Sequence, residues 1–341
     1  VEEVGLLKMD FLGLRNITVI DDAIRDIRKT EPDFSMARVT DNDPKVMDML
    51  TQGRTAGVFQ MESTGMTGVC MGLKPQSIED LSIIVAAYRP GPMESIPRLI
   101  ACKQDPSLVK YKHPMLQPIL SVTYGCILYQ EQVIEIFRKL AGYSLGQADM
   151  VRRAMSKKKV KERGAFIRGD ASRNISGCVA NGIPEDVAAS IYNEMYDFAN
   201  YAFNKAHSVC YAVIAYQTAW FKCYYPREYM AALMTSVLDS SVKISEYIAE
   251  CRAMDIALLP PCACTAQTST NARWKTSSRP APAMASGSIA RRCCACTSSS
   301  WTPQPTRKAK MSRVRWACST CSPMRMHLRP CPPSRCRISR S

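Results

Sequence analysis

The chain opens on an alternating pattern that predicts a β-strand. In the stretch LLKMDFLGLRN, Leu7, Met9 and Phe11 fall on one side, and Lys8 and Asp10 fall on the other. This period of two is typical of a half-buried strand. A lysine and an aspartate on the outer side fit a solvated face. They equally fit a carboxylate that a rigid strand holds in place to bind a metal ion.

Helical patterns dominate the chain after this strand. Apolar residues at Ile17, Ile20, Ile24 and Ile27 predict an amphipathic helix over residues 16–30. Amphipathic spacing and start or stop residues predict further helices at residues 43–50, 77–88, 129–141, 149–161, 184–198, 208–224, 226–237 and 241–256. The helix at 208–224 is nearly all apolar and aromatic, which predicts a buried core helix.

A glycine-rich stretch interrupts this helical pattern. GVFQMES, residues 57–63, predicts a short extended segment. Gly65, Gly68 and Gly72 are expected to loosen the chain that follows it. Taken together, the patterns predict a fold that is mainly α with a short β edge.

Net charge divides the chain into a body and a tail. The net charge of +15 suggests a nucleic-acid partner at first. Residues 262–341, the tail, hold fifteen of the 45 Lys and Arg and no Asp or Glu, so 30 basic residues remain to balance 30 acidic ones in residues 1–261, the body. The body is therefore neutral, and the excess belongs to the tail.

The tail is poor in the residues that build a core. It contains no Phe or Tyr and only four Val, Leu and Ile, and it holds nine of the sixteen cysteines. Such a segment cannot offset the entropy of ordering, so we expect it to be disordered or non-native. A frameshift near Pro261 would explain the abrupt change as out-of-frame translation. Alternatively, Cys293 and Cys296 with Cys318 and Cys321 resemble a four-cysteine zinc pattern.

The body has features of a cytosolic chain. Its seven cysteines are scattered and lie mostly in apolar contexts, such as Ser208-Val209-Cys210-Tyr211, as expected for buried, reduced thiols. No apolar run reaches the ~18 residues of a membrane span, so no membrane partner is expected. Because the chain begins with Val1 beside a strand, we expect it to start inside a domain.

A basic helix is the strongest local signal for chemistry. The stretch MVRRAMSKKKVK places six cations within ten positions, namely Arg152, Arg153, Lys157, Lys158, Lys159 and Lys161. Like charges this close destabilise a helix unless an anion compensates them. A triphosphate or a nucleic-acid backbone would suit this cluster, since Arg makes forked contacts with phosphate and Lys acts as a point charge. The alternative is a solvated basic face.

A polar cluster ahead of the core helix is the second signal. In NYAFNKAHSVCYA, Tyr201, Asn204, Lys205, His207 and Ser208 combine a ring, an amide, a cation, an imidazole and a hydroxyl. Such groups next to an apolar helix often line a cleft, where His207 could donate a hydrogen bond to phosphate or act as a general acid. A satisfied structural histidine is the ordinary alternative.

Two further charged residues carry weaker signals. Arg89 lies at the rigid YRPGP turn, and Glu131 in YQEQ is a carboxylate at the positive end of a helix. No phosphate-binding or dinucleotide-binding glycine motif is present. The residues alone indicate part of a nucleotide- or nucleic-acid-binding enzyme.

Several motifs resemble one family in their order along the chain. LLKMDFLGLRN, VFQMES, YRPGP, YGCILYQEQV, ADMVRRAM followed by KKK, and YAFNKAHS are similar to motifs of the C family of bacterial replicative DNA polymerases, the DNA polymerase III alpha subunits. The resemblance continues to about residue 261. It implies fingers attached to the last strand of a palm like that of the polymerase-beta-like nucleotidyltransferases.

The resemblance implies a role for each candidate residue. In the family, three palm aspartates bind two Mg²⁺ ions. Asp10 would be the third of these catalytic aspartates, and Lys8 would lie near the nucleotide phosphates. The residues expected to bind the incoming nucleotide are Arg152, Arg153, Lys157, Lys158, Lys159, Tyr201, Asn204, Lys205 and His207.

The resemblance also implies the domains and partners. Residues 1–30 would be the palm edge and residues 31–261 the helical fingers, followed by the tail. Primer–template DNA and deoxynucleoside triphosphates would be the substrates, with a sliding clamp and other replisome subunits as partners of the full-length protein. The family's first two catalytic aspartates lie upstream of this chain, so no activity is expected from the chain alone. The alternative is a non-catalytic helical module that binds nucleic acid.

Overall fold

The structure, a computed structural model, confirms a mainly helical body. It describes Gly5, Leu7, Met9 and residues 13–156, 162–199, 201–259 and 275–276. The predicted palm strand, for the most part, and the predicted character of the tail lie outside these residues. Of the helices in this part of the chain, none is long and apolar enough for a bilayer crossing.

Thirteen α-helices and one short β-ladder are assigned in the described residues. The helices are α1 Arg15–Ile27, α2 Pro44–Thr51, α3 Thr64–Leu73, α4 Ile78–Ala87, α5 Ile96–Gln104, α6 Gln117–Leu120, α7 Gln130–Ala141, α8 Leu145–Ser156, α9 Arg163–Arg168, α10 Glu185–Phe198, α11 Lys205–Tyr224, α12 Pro226–Ser236 and α13 Ser241–Ala253. The strands β1 Leu258–Leu259 and β2 Lys275–Thr276 pair antiparallel. The predicted helices are confirmed, with described ends that differ by up to four residues; the predicted end of the helix at 149–161 lies outside the described residues.

The chain divides into two compact units, one of residues 1–35 and 224–341 and the other of residues 36–223. In the first unit, α1 packs on α12, and α12 packs on α13. The predicted face of α1 is largely buried, but Ile17 is 55% exposed. At 100° per residue, Ile17 lies about 90° from the centre of the buried face, which explains its exposure.

The two described apolar residues of the predicted N-terminal strand are not buried. Leu7 is 83% exposed and Met9 is 64% exposed. The prediction that they form the buried face of a strand is wrong for this chain, because no described element covers them. A period of two identifies a strand-like pattern, but it does not supply the layer that would bury it.

The glycine-rich stretch forms a turn and a helix. Residues 57–63 are turns, not an extended segment, and Gln60 has a left-handed φ of 64°. The Oγ of Ser63 accepts a hydrogen bond from Met66 N at 3.3 Å and caps α3. The glycines of α3 do not loosen it. A Cβ at Gly65 would lie 1.8 Å from Tyr88 Oη, so glycine here permits close packing.

An aromatic core holds α7, α9 and α10 together in the second unit. The centre of the Phe137 ring lies 5.1 Å from the ring centre of Phe166, 5.1 Å from that of Tyr143 and 6.4 Å from that of Tyr192. All three pairs are edge-to-face. Phe137 and Phe166 are fully buried. Such pairs stabilise a core beyond the area that they bury.

Helix α11 is joined by hydrogen bonds to the segments on either side of α2. Near its C-terminal end, the ammonium of Lys222 is buried and donates to the carbonyls of Arg54 and Ala56, each at 2.8 Å. The hydroxyl of Tyr216 donates to Thr40 O. This half of α11 is a buried core helix, as predicted, whereas the first turn is exposed.

The cysteines of the body are mostly buried, with one exception. Cys70, Cys102, Cys126, Cys178 and Cys251 are buried, as predicted. Cys223 is half-buried, and Cys210 is exposed because it lies on the outer side of α11. The prediction that Cys210 is buried is therefore wrong, although its neighbours in the sequence are mostly apolar.

Candidate functional site

Two sequence motifs meet where α7 and α11 begin. The N–H of Phe203 donates to Leu128 O at 2.9 Å, and the N–H of Gln130 donates to Phe203 O at 2.9 Å. We call residues 128–131 and 202–205 the α7–α11 junction. The parallel bridge between Tyr129 and Phe203 fixes the register of the two segments, so YQEQ and FNKAH form one structural element.

A row of three buried hydroxyls lies below the junction. The Oγ of Ser82, on α4, lies 3.1 Å from Tyr129 Oη and 2.7 Å from Ser208 Oγ, on α11. The hydroxyl of Ser208 also lies 3.0 Å from Lys205 O, as a donor to that carbonyl. Burial raises the pKa of Tyr129, so its phenol stays protonated and able to donate. These bonds join α4 and α7 to the first turn of α11.

A carboxylate from α7 lies at the N-terminus of α11. Both oxygens of Glu131 accept hydrogen bonds from Lys205 N, at 3.1 and 3.0 Å. The Nδ2 of Asn204 donates to the same carboxylate at 3.1 Å. The Oδ1 of Asn204 accepts from His207 N at 2.8 Å, which is the bond that an N-cap residue makes.

The exposed side of this first turn carries cations and rings. The guanidinium of Arg89 lies 4.4 Å from the centre of the Phe203 ring. The His207 ring lies 5.4 Å from Phe203 and 4.2 Å from Tyr211, which is one turn further along α11. The Nζ of Lys205 lies 5.7 Å from the centre of the Tyr129 ring. Arg89 is therefore part of this cluster, not only of a turn.

Tyr201 contacts the YRPGP turn and lines a cavity. Gly91 has a φ of 98°, and a Cβ at this position would lie 2.3 Å from Tyr201 Cδ1. The cavity has a volume of about 580 Å³. It is lined by Gly91, Glu94, Ser95, Arg98, Lys112, Cys126, Ile127, Ser190, Asn193, Glu194, Asp197, Phe198 and Tyr201. The structure thus places Tyr201 beside the Arg89 turn. This residue is 46% exposed.

The two described arginines of the basic helix are paired with a carboxylate. Arg152 Nη2 lies 2.9 Å from Asp149 Oδ1, and Arg153 Nη2 lies 2.7 Å from Asp149 Oδ2. The hydrogen bond from Arg152 is the main cause that lowers the pKa of Asp149; burial opposes it, and the hydrogen bond from Arg153 lowers the pKa further. Sequence reasoning missed this partner, although Asp149 precedes the arginines by three and four positions, the spacing of helical ion pairs.

Five predicted site residues lie outside the described residues. They are Asp10, Lys8, Lys157, Lys158 and Lys159. Among the residues that the structure does describe, no three His, Cys, Asp or Glu side chains are grouped so that they could hold a metal ion. The described part of the chain therefore does not by itself fit a Mg²⁺ site.

Sequence reasoning also missed the contacts of Glu131 with the start of α11. Its position at the start of α7 is as predicted, but its partners lie 73 and 74 residues further along the chain. Helix periodicity relates only residues a few positions apart, so no local spacing could show this contact. The one available signal was Asn204, a typical N-cap residue directly before the first turn of α11.

The sequence of this chain is similar to those of one family of known proteins. The family model described as the bacterial DNA polymerase III alpha subunit finger domain matches residues 16–174. DNA polymerase III subunit alpha of Borreliella burgdorferi is 46% identical over 261 residues, which are 76% of this chain and 22% of the relative.

Other relatives show the same extent of similarity. The alpha subunit of Thermus aquaticus is 45% identical over 271 residues, covering 76% of this chain and 22% of the relative. That of Bacillus subtilis is 44% identical over 262 residues, covering 76% of this chain and 23% of the relative. This chain thus spans about a fifth of the length of these curated relatives. Over 76% of its length, this chain is similar to a part of the bacterial DNA polymerase III alpha subunits.

Proposed function

We propose that the body of this chain forms the fingers and the palm edge of a DNA-directed DNA polymerase. The complete protein would add deoxynucleotides to the 3′ end of a primer on template DNA, within a replisome that includes a sliding clamp. The observation that carries this proposal is the 46% identity to a DNA polymerase III subunit alpha across the body. The chain alone would be inactive, because it would supply only part of the active site.

The exposed first turn of α11 would contact the incoming deoxynucleoside triphosphate. Lys205 supplies a cation, and His207 and Asn204 supply further polar groups on the same exposed turn. Arg89, over the Phe203 ring, adds a second cation near this turn. Two cations beside a helix start favour a polyphosphate electrostatically. Tyr201, beside Arg89, would pack against the nucleotide.

The basic residues of α8 and beyond would provide further positive charge. Arg152 and Arg153 both pair with Asp149, which fixes where their guanidinium groups lie. Lys157, Lys158 and Lys159 would extend this charge toward the phosphates. Lys8 would act in the same way from the palm edge.

Asp10 would be one of the aspartates that hold two Mg²⁺ ions in the complete polymerase. Bound Mg²⁺ ions in such a site activate the attacking oxygen and stabilise the leaving oxygens of phosphoryl transfer. The remaining carboxylates of the site would come from parts of the complete protein outside this chain. The role of Asp10 would be to supply one carboxylate ligand of this site.

The decisive experiment is Asp10→Asn in a complete polymerase that contains this chain. We expect loss of nucleotide incorporation by at least about 10³-fold with primer–template affinity unchanged, because a ligand of the reacting centre is removed. Asp21→Asn, an exposed position on α1, is the matched control and should keep full activity. Incorporation that survives Asp10→Asn would contradict the proposal.

A second candidate function is a non-catalytic module that binds nucleic acid. The six cations at 152–161 favour it, because such a cluster binds phosphates without further chemistry. Replacing Arg152 and Lys158 with Glu separates the two functions. The polymerase proposal expects a raised KM for the deoxynucleotide, whereas the module expects only weaker DNA binding with a smaller salt dependence.

A further inference from the structure

The Glu131 carboxylate takes the position that an anion would occupy at the start of α11. Helix N-termini bind phosphates and carboxylates because their first N–H groups have no partner within the helix. Here one such N–H, that of Lys205, donates to both oxygens of Glu131. In the described residues Glu131 makes no ion pair with Lys or Arg, so the bonds from Asn204 and Lys205 N are its polar contacts.

The carboxylate serves two helices at once. Glu131 is the second residue of α7, where the positive end of that helix also favours a negative charge. It therefore lies between the N-termini of two helices, α7 and α11. The junction bond from Gln130 N to Phe203 O keeps these two ends together.

We propose that Glu131 is a positioning residue for the triphosphate: it fixes the first turn of α11 so that the Lys205 and His207 side chains face the phosphates. This inference rests on the proposed function. Because Glu131 occupies the backbone anion position, recognition of the phosphates falls to side chains. Without the carboxylate, Lys205 N and Asn204 Nδ2 lose their acceptor, and the turn that carries Lys205 and His207 is joined to α7 only by the backbone bonds of the junction and the row of buried hydroxyls.

The test measures binding of dATP to the full 341-residue chain, without DNA, by titration calorimetry. Glu131→Ala is expected to weaken dATP binding about tenfold, because it removes the bonds that Lys205 N and Asn204 Nδ2 make to the carboxylate. Glu131→Gln keeps one acceptor oxygen, so its expected loss is about threefold. Glu135→Gln is the matched control, since Glu135 lies one turn along α7, pairs with Arg138 and should change affinity by less than about twofold.

Two further readouts separate positioning from general loss of structure. Affinity for a primer–template duplex should stay within about twofold in all three variants. Hydrogen exchange of the amides at 203–207 should increase in Glu131→Ala and stay unchanged in Glu135→Gln. If Glu131→Ala lowers Tm by more than about 5 °C, Glu131→Gln carries the test.

The outcomes are distinguishable. If the unmodified chain binds dATP and Glu131→Ala and Glu131→Gln bind it equally well, the inference is wrong and the proposed function stands. If the affinities for dATP and for the duplex fall together, Glu131 has only a structural role and the inference is again wrong. If the unmodified chain binds no dATP, the proposal that the first turn of α11 contacts the nucleotide fails, and the inference fails with it.

Discussion

At the scale of the single residue, glycine at position 91 determines where Tyr201 lies. The backbone φ of 98° at Gly91 is rarely adopted by residues that carry a Cβ, and the Tyr201 ring occupies the space that such a Cβ would need. The turn and the ring are therefore fixed together. Gly91 is therefore more than a turn residue of YRPGP, because it packs against Tyr201, a candidate binding residue.

Gly91→Ala should destabilise the chain. We expect a loss of about 1–3 kcal/mol in the free energy of unfolding, because the new methyl group meets both a strained φ and an aromatic ring. Urea denaturation followed by circular dichroism measures this loss. Gly68→Ala is the matched control: Gly68 lies within α3 with open space around it, so alanine should stabilise the chain by about 0.5–1 kcal/mol. Equal stability of the two variants would contradict the packing argument.

Buried thiols should make the stability of the chain sensitive to alkaline pH. Burial raises the pKa of Cys70 and Cys178 to about 12 and that of Cys126 to about 11, above their ordinary value of 9.0. The folded state therefore keeps its thiol protons longer than the unfolded state does. The contribution is complete below pH 9 and is lost as pH rises from there toward 12.

The measurement is the unfolding midpoint in urea between pH 8 and pH 11. We expect it to fall above pH 9, and to fall less steeply in Cys70→Ala than in the unmodified chain. Peptide-resolved alkylation at pH 8 should modify the exposed Cys210 first and the buried Cys70 only after unfolding. Rapid alkylation of Cys70 in the folded chain would contradict the burial that raises its pKa.

At the scale of the element, α4, α7 and α11 meet through hydroxyl groups. Ser82, Tyr129 and Ser208 form a hydrogen-bonded row in which the middle hydroxyl, Ser82, contacts both others. Buried hydroxyls cost free energy when they lose a partner, so such a row specifies one arrangement of its helices. The arrangement of these three helices therefore depends on a few polar atoms as well as on apolar packing.

A double-mutant cycle tests this coupling. Ser82→Ala and Ser208→Ala should each lower the free energy of unfolding by about 1–2 kcal/mol, because each leaves a buried partner unsatisfied. The double variant should cost about 1 kcal/mol less than the sum, since the shared bond is lost only once. Ser144→Ala, in the turn before α8, is paired with Ser82→Ala as the control and should be additive with it. Strict additivity of Ser82 and Ser208 would sink the proposed coupling.

Element-level patterns explain how much of this fold the sequence could predict. Amphipathic spacing located α1, α7 and α10, and the Asp43-Pro44 start located α2, because these signals lie within a few residues. The glycines of α3 were wrongly predicted to loosen the chain. Gly65 instead permits the close approach of Tyr88, which is distant in sequence. Likewise, the residues of the α11 cluster were identified by type and motif. Arg89 and Glu131 gave only weaker signals, and their contacts with this cluster were not predicted, because tertiary structure brings them there.

At the scale of the whole molecule, charge is the property that separates the body from the tail. The body is neutral, and the tail carries the full +15. Sequence-independent DNA binding depends on the cations that displace counterions from phosphates. Any DNA binding measured on the 341-residue chain therefore combines the body with a strongly basic appendage.

Removing residues 262–341 should reveal the binding that belongs to the body. We expect affinity for random duplex DNA at about 50 mM salt to fall at least about tenfold, with a shallower salt dependence, because fifteen cations are removed. Electrophoretic mobility shift measurements at several salt concentrations test this expectation. The control is a tail with its basic residues replaced by Gln, which should behave like the truncation. Unchanged DNA binding would assign the interaction to the body.

The hydrogen bonds of the α7–α11 junction have a consequence for how this chain can be rearranged. The backbone nitrogen of Gln130 lies 2.9 Å from the carbonyl oxygen of Phe203, so the two ends of the intervening segment lie side by side. That segment also has a core of its own around Phe137 and Phe166. A segment with adjacent ends can be lengthened, exchanged for a short linker or used for circular permutation without rerouting its flanks. The junction is therefore a natural splice point, at which this group of helices could be gained or lost as a unit.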